Sequence, residues 1–332
     1  MKRSIKLIFL LVGFSLFVWA ISTVNLIVVA NLLIKMGYGF IIILIIYGSV
    51  TWIDTIAWQK TFRLEEVNQF NLWNLWSIKQ VGDAYNTITP LGTLGGEPIK
   101  SQLLKERHGL SLKQGMASQV IARTTFLIAL VLFFIPGIFL TLRSSIVSDK
   151  FQIACLIGMG FFSILIFLFF MFQITGLLGK LVRWVSDLPF GKNLAASLKK
   201  LESVDQGISS YYKQYTSRVV ISVMYAFVGW LIGLVELYAT LHFLGYKPNL
   251  IDLWVIEALT QLVRHGSFFI PLSIGALEGG FLLIFTAMGM PSDLGLTVAF
   301  IRRIKELLWV GMGLVIGWGL AFNRIQTKTE EN

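Results

Sequence analysis

Charged residues are the class in which this sequence is poorest. They make up 14% of its 332 residues, whereas hydrophobic residues make up 55%. Soluble globular domains carry about 25% charged residues, so an ordinary cytosolic fold is excluded. Residues 7–34 and 151–179 contain no charged residue at all. Because a membrane-spanning helix needs about 20 predominantly apolar residues, runs of this length indicate an integral membrane protein.

Cysteine and histidine are also scarce. The single cysteine, Cys155, lies inside an apolar run, which excludes a disulfide within the chain and a cysteine metal site. The histidines His108, His242 and His265 do not have metal-ligand spacing. The sequence contains no Walker loop and no recognisable pair of nucleophile and base. We therefore expect no metal, no cofactor and no catalytic residue.

Acidic residues are fewer than basic ones, which gives a formal net charge of +10. The lysines and arginines are concentrated in polar segments beside apolar runs, as the positive-inside bias and anionic leaflets predict. Lys79 and Lys100 are assigned to cytoplasmic segments in this way, and Arg264 to the opposite side. We expect no nucleic-acid partner. The distribution predicts a multi-pass protein of the cell inner (plasma) membrane with both termini in the cytoplasm.

The apolar runs predict an all-α integral membrane protein with six transmembrane helices, at about residues 7–30, 38–58, 115–142, 151–178, 219–243 and 297–321. Two further segments, about 70–109 and 249–290, are only moderately apolar and are broken by glycine and proline. They are predicted to be re-entrant helical hairpins, the first from the cytoplasm and the second from outside. Since no linker divides the chain, residues 1–332 form one membrane domain, with a short polar tail at 324–332.

The two broken segments resemble each other. A shift of 181 positions superposes Pro90 on Pro271 and Glu97 on Glu278, within TPLGTLGGEP and IPLSIGALEGG. The repeat divides the chain into halves at about 1–146 and 147–323. Each half has three predicted spans, and because three is odd the second half is inverted relative to the first. Inverted repeats with broken helices are typical of secondary transporters.

Charged residues inside predicted spans are the strongest candidates for a site. Each costs at least about 2.5 to 3.5 kcal/mol on insertion scales, so such residues are functional or paired. Arginine suits a phosphate because its planar fork donates two parallel hydrogen bonds. The alternative is that these arginines only neutralise acidic residues. The candidate arginines are Arg123, Arg302 and Arg303, and the possible charge partners are Asp54, Glu236 and Glu306. Because Arg302 and Glu306 are four positions apart on one helical face, that pair is as consistent with a structural role as with substrate binding, and Arg123 and Arg303 are the preferred candidates.

The glycines of the broken segments, Gly95, Gly96 and Gly275, indicate irregular backbone inside the membrane. Such backbone is tolerated only where it is buried in protein or lines a watery cavity. If short helices begin near Glu97 and Glu278, their free amides point into the membrane interior, where a phosphate could bind. Equally, the glycines could serve only to let helices cross closely.

With TPLGTLGGEPIKSQLL, Arg123, PLSIGALEGG and FIRR in these positions, nearly the whole chain resembles the flippase-like membrane domain of the lysylphosphatidylglycerol synthase family. The resemblance implies translocation of a membrane lipid with an anionic or aminoacylated head group, or of a polyprenyl-phosphate-linked lipid. It implies substrate-binding roles for these residues: Pro90, Gly95, Gly96, Glu97, Arg123, Pro271, Gly275, Glu278, Arg302 and Arg303.

The 332 residues contain no segment that resembles the soluble aminoacyl-transferase domain of that family. We therefore expect no synthase activity, and a lipid-synthesising enzyme is the kind of protein partner that the resemblance implies. Two alternatives to a flippase remain open on the residues alone. One is a membrane-embedded lipid or glycan transferase with Glu97 or Glu278 as general base. The other is an ion-coupled carrier of a small solute.

Overall fold

The computed structural model describes residues 26–69, 71–88, 95–143, 148–177, 179, 195–268, 270 and 273–330. The regular elements of these residues are helices, which confirms the predicted all-α class. They are α1 (Leu26–Met36), α2 (Gly39–Gln59), α3 (Leu64–Val67), α4 (Leu72–Ile88), α5 (Glu97–His108), α6 (Leu112–Arg143), α7 (Asp149–Thr175), α8 (Ala195–Gln214), α9 (Thr216–Phe243), α10 (Leu250–Gly266), α11 (Ala276–Ala287) and α12 (Ser292–Glu330).

Four described helices, α2, α6, α7 and α9, are long and apolar enough to cross a membrane. They coincide with the second to fifth predicted spans. Most of the first predicted span, at residues 7–30, lies outside the described residues, and only its end falls within α1. The sixth predicted span lies within α12, which is 39 residues long but carries Arg302, Arg303, Lys305 and Glu306 in its first half.

Each broken segment contains two short helices. We call α4 and α5 the first helix pair, and α10 and α11 the second helix pair. The first helix of each pair has 17 residues and the second has 12. Residues 89–94, 269 and 271–272, which connect the helices, lie outside the described residues. Pro90 and Pro271 are among them.

Local sequence explains where several helices begin and end. Ser111 and Gln114 form a capping box at the start of α6: the Ser111 Oγ accepts from the Gln114 amide at 3.2 Å, and the Gln114 Oε1 accepts from the Ser111 amide at 2.9 Å. Asn249 caps α10 by accepting from the Asp252 amide at 2.8 Å. Gly109 ends α5 with φ of 68°, a left-handed conformation that favours glycine.

The first helix of each helix pair packs against a long helix of the other half. Helix α2 packs against its counterpart α9, α4 packs against α12, and α10 packs against α6. Small residues allow this close approach: a Cβ built on Gly313 of α12 would lie 2.5 Å from the Gln80 carbonyl oxygen of α4, and one on Gly137 of α6 would lie 2.9 Å from the Ala258 Cβ of α10. The second helix of each pair packs against the last long helix of its own half, α5 on α6 and α11 on α12.

Helix α8 marks one end of the bundle. The Tyr211 hydroxyl donates to the Lys60 carbonyl just after α2, and the Asp205 carboxylate accepts from the Gly179 amide after α7 at 2.8 Å. Arg218, at the start of α9, donates to the Gln59 carbonyl at 3.1 Å. At the other end, Lys35 of α1 donates to the Leu244 carbonyl after α9 at 3.2 Å. The long helices run between these two ends.

Candidate functional site

A cavity of about 330 Å³ lies among helices of both halves. Its wall includes residues of the long helices α2, α6, α9 and α12 and the C-terminal parts of α4 and α10. The two helix pairs therefore approach the same space: Asn86 and Thr87 come from the first pair, and Arg264 and His265 from the second. The charged side chains that line the cavity are Asp54, Arg123, Glu236, Glu257, Arg264, Arg302, Lys305 and Glu306.

The first half contributes a group of ion pairs that we call the first charge cluster: Asp54, Lys79, Asp83, Glu97 and Lys100. The Lys79 Nζ lies 2.7 Å from Asp83 and 3.8 Å from Asp54. The Lys100 Nζ lies 2.7 Å from the other oxygen of Asp83 and 3.4 Å from Glu97. Asp83 thus bridges two lysines and ties α4 to α5. Within this cluster Asp54 lines the cavity.

The second half contributes the second charge cluster: Glu236, Glu257, Arg264, Glu278, Arg302, Arg303, Lys305 and Glu306. Its deepest pair joins Arg302 of α12 to Glu257 of α10 at 2.5 Å. The side chains of these two residues are 10% and 3% exposed. Lys305 pairs with Glu236 of α9. A buried charge destabilises a fold unless it is paired and hydrogen-bonded, so these two ion pairs offset the cost of burying Glu236 and Glu257.

A chain of ion pairs continues from this cluster towards the second helix pair. Arg303 lies 2.9 Å from Glu278 of α11 and 3.2 Å from Glu306. Glu306 lies 3.5 Å from Arg264 at the end of α10. Tyr47 of α2 connects this cluster to the first half, because the Lys305 Nζ lies 4.1 Å from the centroid of its ring. Charged side chains therefore line the cavity from both halves.

Arg123 lines the cavity from α6 and is half-buried. Helix α6 packs on α5, which carries Glu97 and Lys100 of the first charge cluster. The position of Arg123 in the first half corresponds to that of Arg302 and Arg303 in the second. Arg123 therefore gives the cavity a guanidinium on the side of the first helix pair.

The predicted site residues separate into two groups. Arg123, Arg302, Asp54, Glu236 and Glu306 line the cavity. Glu97, Glu278 and Arg303 belong to the two charge clusters but are outside the cavity lining. The sequence favoured Arg303 over Arg302 as a ligand, because Arg302 and Glu306 are four positions apart in a helix. In the structure Arg302 lines the cavity and pairs with Glu257. Glu306 pairs instead with Arg303 and Arg264.

The glycines at the starts of α5 and α11 allow close backbone packing and make hydrogen bonds within the protein. A Cβ on Gly96 would lie 1.8 Å from the Gly82 carbonyl oxygen, so Gly96 permits a close crossing of α4 and α5. The Gly96 amide donates to Asn86 at 2.7 Å, and the Gly275 amide donates to Glu278 at 2.8 Å. Protein side chains thus engage both amides. Gly275 has φ of 78°, which only glycine adopts readily, and Gly95 is half-buried beside Gly96.

Several residues of the charge clusters were not predicted from the sequence. Lys79 and Lys100 of the first helix pair form ion pairs within that pair, and Arg264 of the second pair forms one with Glu306 of α12. The rule that intramembrane charges are paired or functional, applied to the broken segments as well as to the spans, would have included them. The same rule would have found Glu257, which accepts from both Arg302 and Gln261.

Comparison with known proteins identifies the family of the chain. A family model described as the lysylphosphatidylglycerol synthase TM region matches residues 6–314. No curated protein and no solved structure is significantly similar to the chain. The match confirms the resemblance seen in the sequence. Because it covers far more than half of the residues, the chain belongs to the family of lysylphosphatidylglycerol synthase transmembrane regions.

Proposed function

We propose that this protein is a lipid translocator, and not a lipid-modifying enzyme, that carries an anionic or aminoacylated head group through the cavity while the acyl chains stay in the membrane. The observation that carries the proposal is the charged cavity between the two halves, reached by the ends of both helix pairs. A polar cavity of this kind offers a head group a path through the apolar membrane interior. Membership of the family supports a lipid-related function.

The architecture proposed with this function is an inverted repeat with two re-entrant hairpins in the inner membrane. It is supported by the equal lengths of corresponding helices and by the packing of α4 and α10, the first helix of each pair, on the last long helix of the other half. In transporters built this way, substrate sites lie near the midplane at the interface of the repeats. The lining of the cavity by helices of both halves supports such a site here.

This architecture predicts the accessibility of single cysteines. After replacement of Cys155 with alanine, a cysteine at the exposed position of Lys105 should react with an impermeant maleimide only from the cytoplasmic side. A cysteine at the exposed position of Lys150 should react only from the outside. Labelling of both positions from one side would contradict the proposed topology, since α6 separates them.

Arg123 provides the test of head-group binding. Substitution with lysine keeps the positive charge but removes the planar fork, so a phosphate role predicts a several-fold slower translocation with the fold retained. The assay uses the purified chain in vesicles that contain an acyl-chain-labelled fluorescent phosphatidylglycerol, with dithionite quenching the outer leaflet. Thermal unfolding in detergent reports the fold.

The matched control is Arg143→Lys, at the end of α6 beside Phe139, whose ring centroid lies 4.2 Å from the guanidinium. This variant should translocate lipid at the wild-type rate. An Arg123→Lys protein with normal translocation would remove Arg123 from the proposed site. Loss of thermal stability together with translocation would instead indicate a structural role.

A further inference from the structure

Two neutral polar side chains in the cavity wall have incomplete hydrogen bonding. Trp230 of α9 and Gln261 of α10 both line the cavity and are 8% and 6% exposed. Among the described residues, the Trp230 indole Nε1 has no acceptor and the Gln261 amide Oε1 has no donor. Buried polar groups in native proteins almost always have hydrogen-bond partners. Groups without one, in the wall of a cavity, point to a ligand.

The second charge cluster fixes the orientation of the Gln261 amide. Its Nε2 donates to the Glu257 Oε1 at 2.6 Å, and Arg302 holds the same carboxylate at 3.3 Å and 2.5 Å. A reversed amide would set its oxygen against the carboxylate oxygen, which is repulsive. The nitrogen therefore stays on Glu257, and the carbonyl oxygen remains as an acceptor without a partner.

His265 lies beside both residues. It follows Gln261 by four positions on the same face of α10, and its ring centroid lies 6.1 Å from that of Trp230. The His265 Nδ1 lies 2.9 Å from the Gln261 carbonyl oxygen, which only accepts, so Nδ1 carries the proton. In the neutral ring, Nε2 is then an acceptor. We call Trp230, Gln261 and His265 the neutral wall.

We propose that the neutral wall recognises a hydroxyl group on the translocated head group, an inference that rests on the proposed function. An indole only donates and the free Gln261 oxygen only accepts. A phosphate oxygen could satisfy Trp230 alone, and an ammonium could satisfy Gln261 alone. A hydroxyl both accepts and donates, so the hydroxyls of one polyol head group satisfy both side chains. The hydroxyl could belong to a glycerol or to a sugar.

Competition between lipids tests the inference. The purified full-length chain is offered equal amounts of phosphatidylglycerol and phosphatidylpropanol, which share the phosphodiester charge but differ in the head-group hydroxyls. Native mass spectrometry should show that the wild type retains about tenfold more phosphatidylglycerol, since the analogue leaves buried groups unpaired. Phosphatidylinositol replaces phosphatidylglycerol in a second arm, and stronger retention there identifies a ring polyol, the class of hydroxyl that a sugar presents, as the source of the hydroxyl.

Variants locate the preference. Trp230→Phe keeps the aromatic ring but removes the N–H, and Gln261→Met removes the acceptor; each should reduce the preference to about twofold or less. Trp254→Phe is the matched control, because the Trp254 Nε1 already donates to the Phe133 carbonyl at 3.0 Å. This variant should keep the wild-type preference.

The outcomes separate the inference from the proposed function. Equal retention of both lipids, with normal translocation, would overturn the hydroxyl preference and leave the translocator intact. Retention of neither lipid, with no translocation, would overturn both. An unchanged preference in Trp230→Phe and Gln261→Met would place hydroxyl recognition elsewhere and refute the role of the neutral wall.

Discussion

Substitution of Gly233 with leucine is expected to reduce lipid translocation to the level of protein-free vesicles. Gly233 lines the cavity from α9, and a Cβ built there meets only the Glu257 Oε1, at 4.0 Å, within that distance. The new side chain therefore has room to enter the cavity without striking a neighbouring helix. An apolar group in this position would exclude a head group and the water that accompanies it. The dithionite assay on reconstituted protein measures the effect.

Gly160→Leu is the control for this substitution. Gly160 lies in α7, and a Cβ there meets no described atom within 4 Å. This variant should translocate lipid normally, and both variants should unfold near the wild-type temperature. Normal translocation by Gly233→Leu would show that the cavity is not the path. Unfolding of Gly233→Leu alone would show instead that the space belongs to helix packing.

Replacement of Arg302 with methionine is expected to cause the largest loss of stability. The variant leaves the Glu257 carboxylate, whose side chain is 3% exposed, with Gln261 as its remaining hydrogen-bond partner among the described residues. Removal of one partner of a buried ion pair typically costs about 3 to 5 kcal/mol. Equilibrium unfolding of the purified protein in mixed micelles measures the change.

The double variant Arg302→Met with Glu257→Gln is the matched control. It removes both charges, so the carboxylate is no longer stranded, and most of the lost stability should return. An Arg302→Met protein as stable as the wild type would show that Arg302 does not stabilise the buried Glu257 carboxylate. A double variant that loses as much as the two single variants together would show that the two residues act independently.

The amino-acid sequence was sufficient for much of the fold. Apolar runs predicted α2, α6, α7 and α9, because a helix that crosses the membrane interior needs about 20 consecutive, predominantly apolar residues. Ser111 and Gln114 have the spacing of a capping box, and this box forms at the start of α6. The similarity of TPLGTLGGEP and IPLSIGALEGG anticipated two helix pairs of matching lengths.

The arrangement of charges was less accessible from the sequence. Counting basic residues by segment assigned Lys79 and Lys100 to cytoplasmic segments and Arg264 to the opposite side, and such a count gives no information about ion-pair partners. Lys100 of α5 pairs with Asp83 of α4, and Arg264 of α10 pairs with Glu306 of α12. Ion pairs between segments depend on tertiary packing.

Arg302 and Arg303 are adjacent in α12 but have different neighbours, which the sequence alone does not predict. Adjacent residues of a helix point about 100° apart, so one of them lines the cavity while the other contacts Glu278 behind it. Hydrophobic periodicity does not resolve this choice where the helix is surrounded by protein. The sequence did not predict the neutral wall, because tryptophan in a span is usually explained as an interfacial anchor.

Translocation by the wild-type protein is the measurement that tests the central claim most directly. Vesicles containing the purified chain and labelled phosphatidylglycerol are treated with dithionite, with and without an imposed pH gradient. If the protein moves lipid, quenching should pass well beyond the half that represents the outer leaflet, and Gly233→Leu should abolish the excess. Quenching that stops at half under both conditions, with folded protein in the vesicles, would contradict the proposed function.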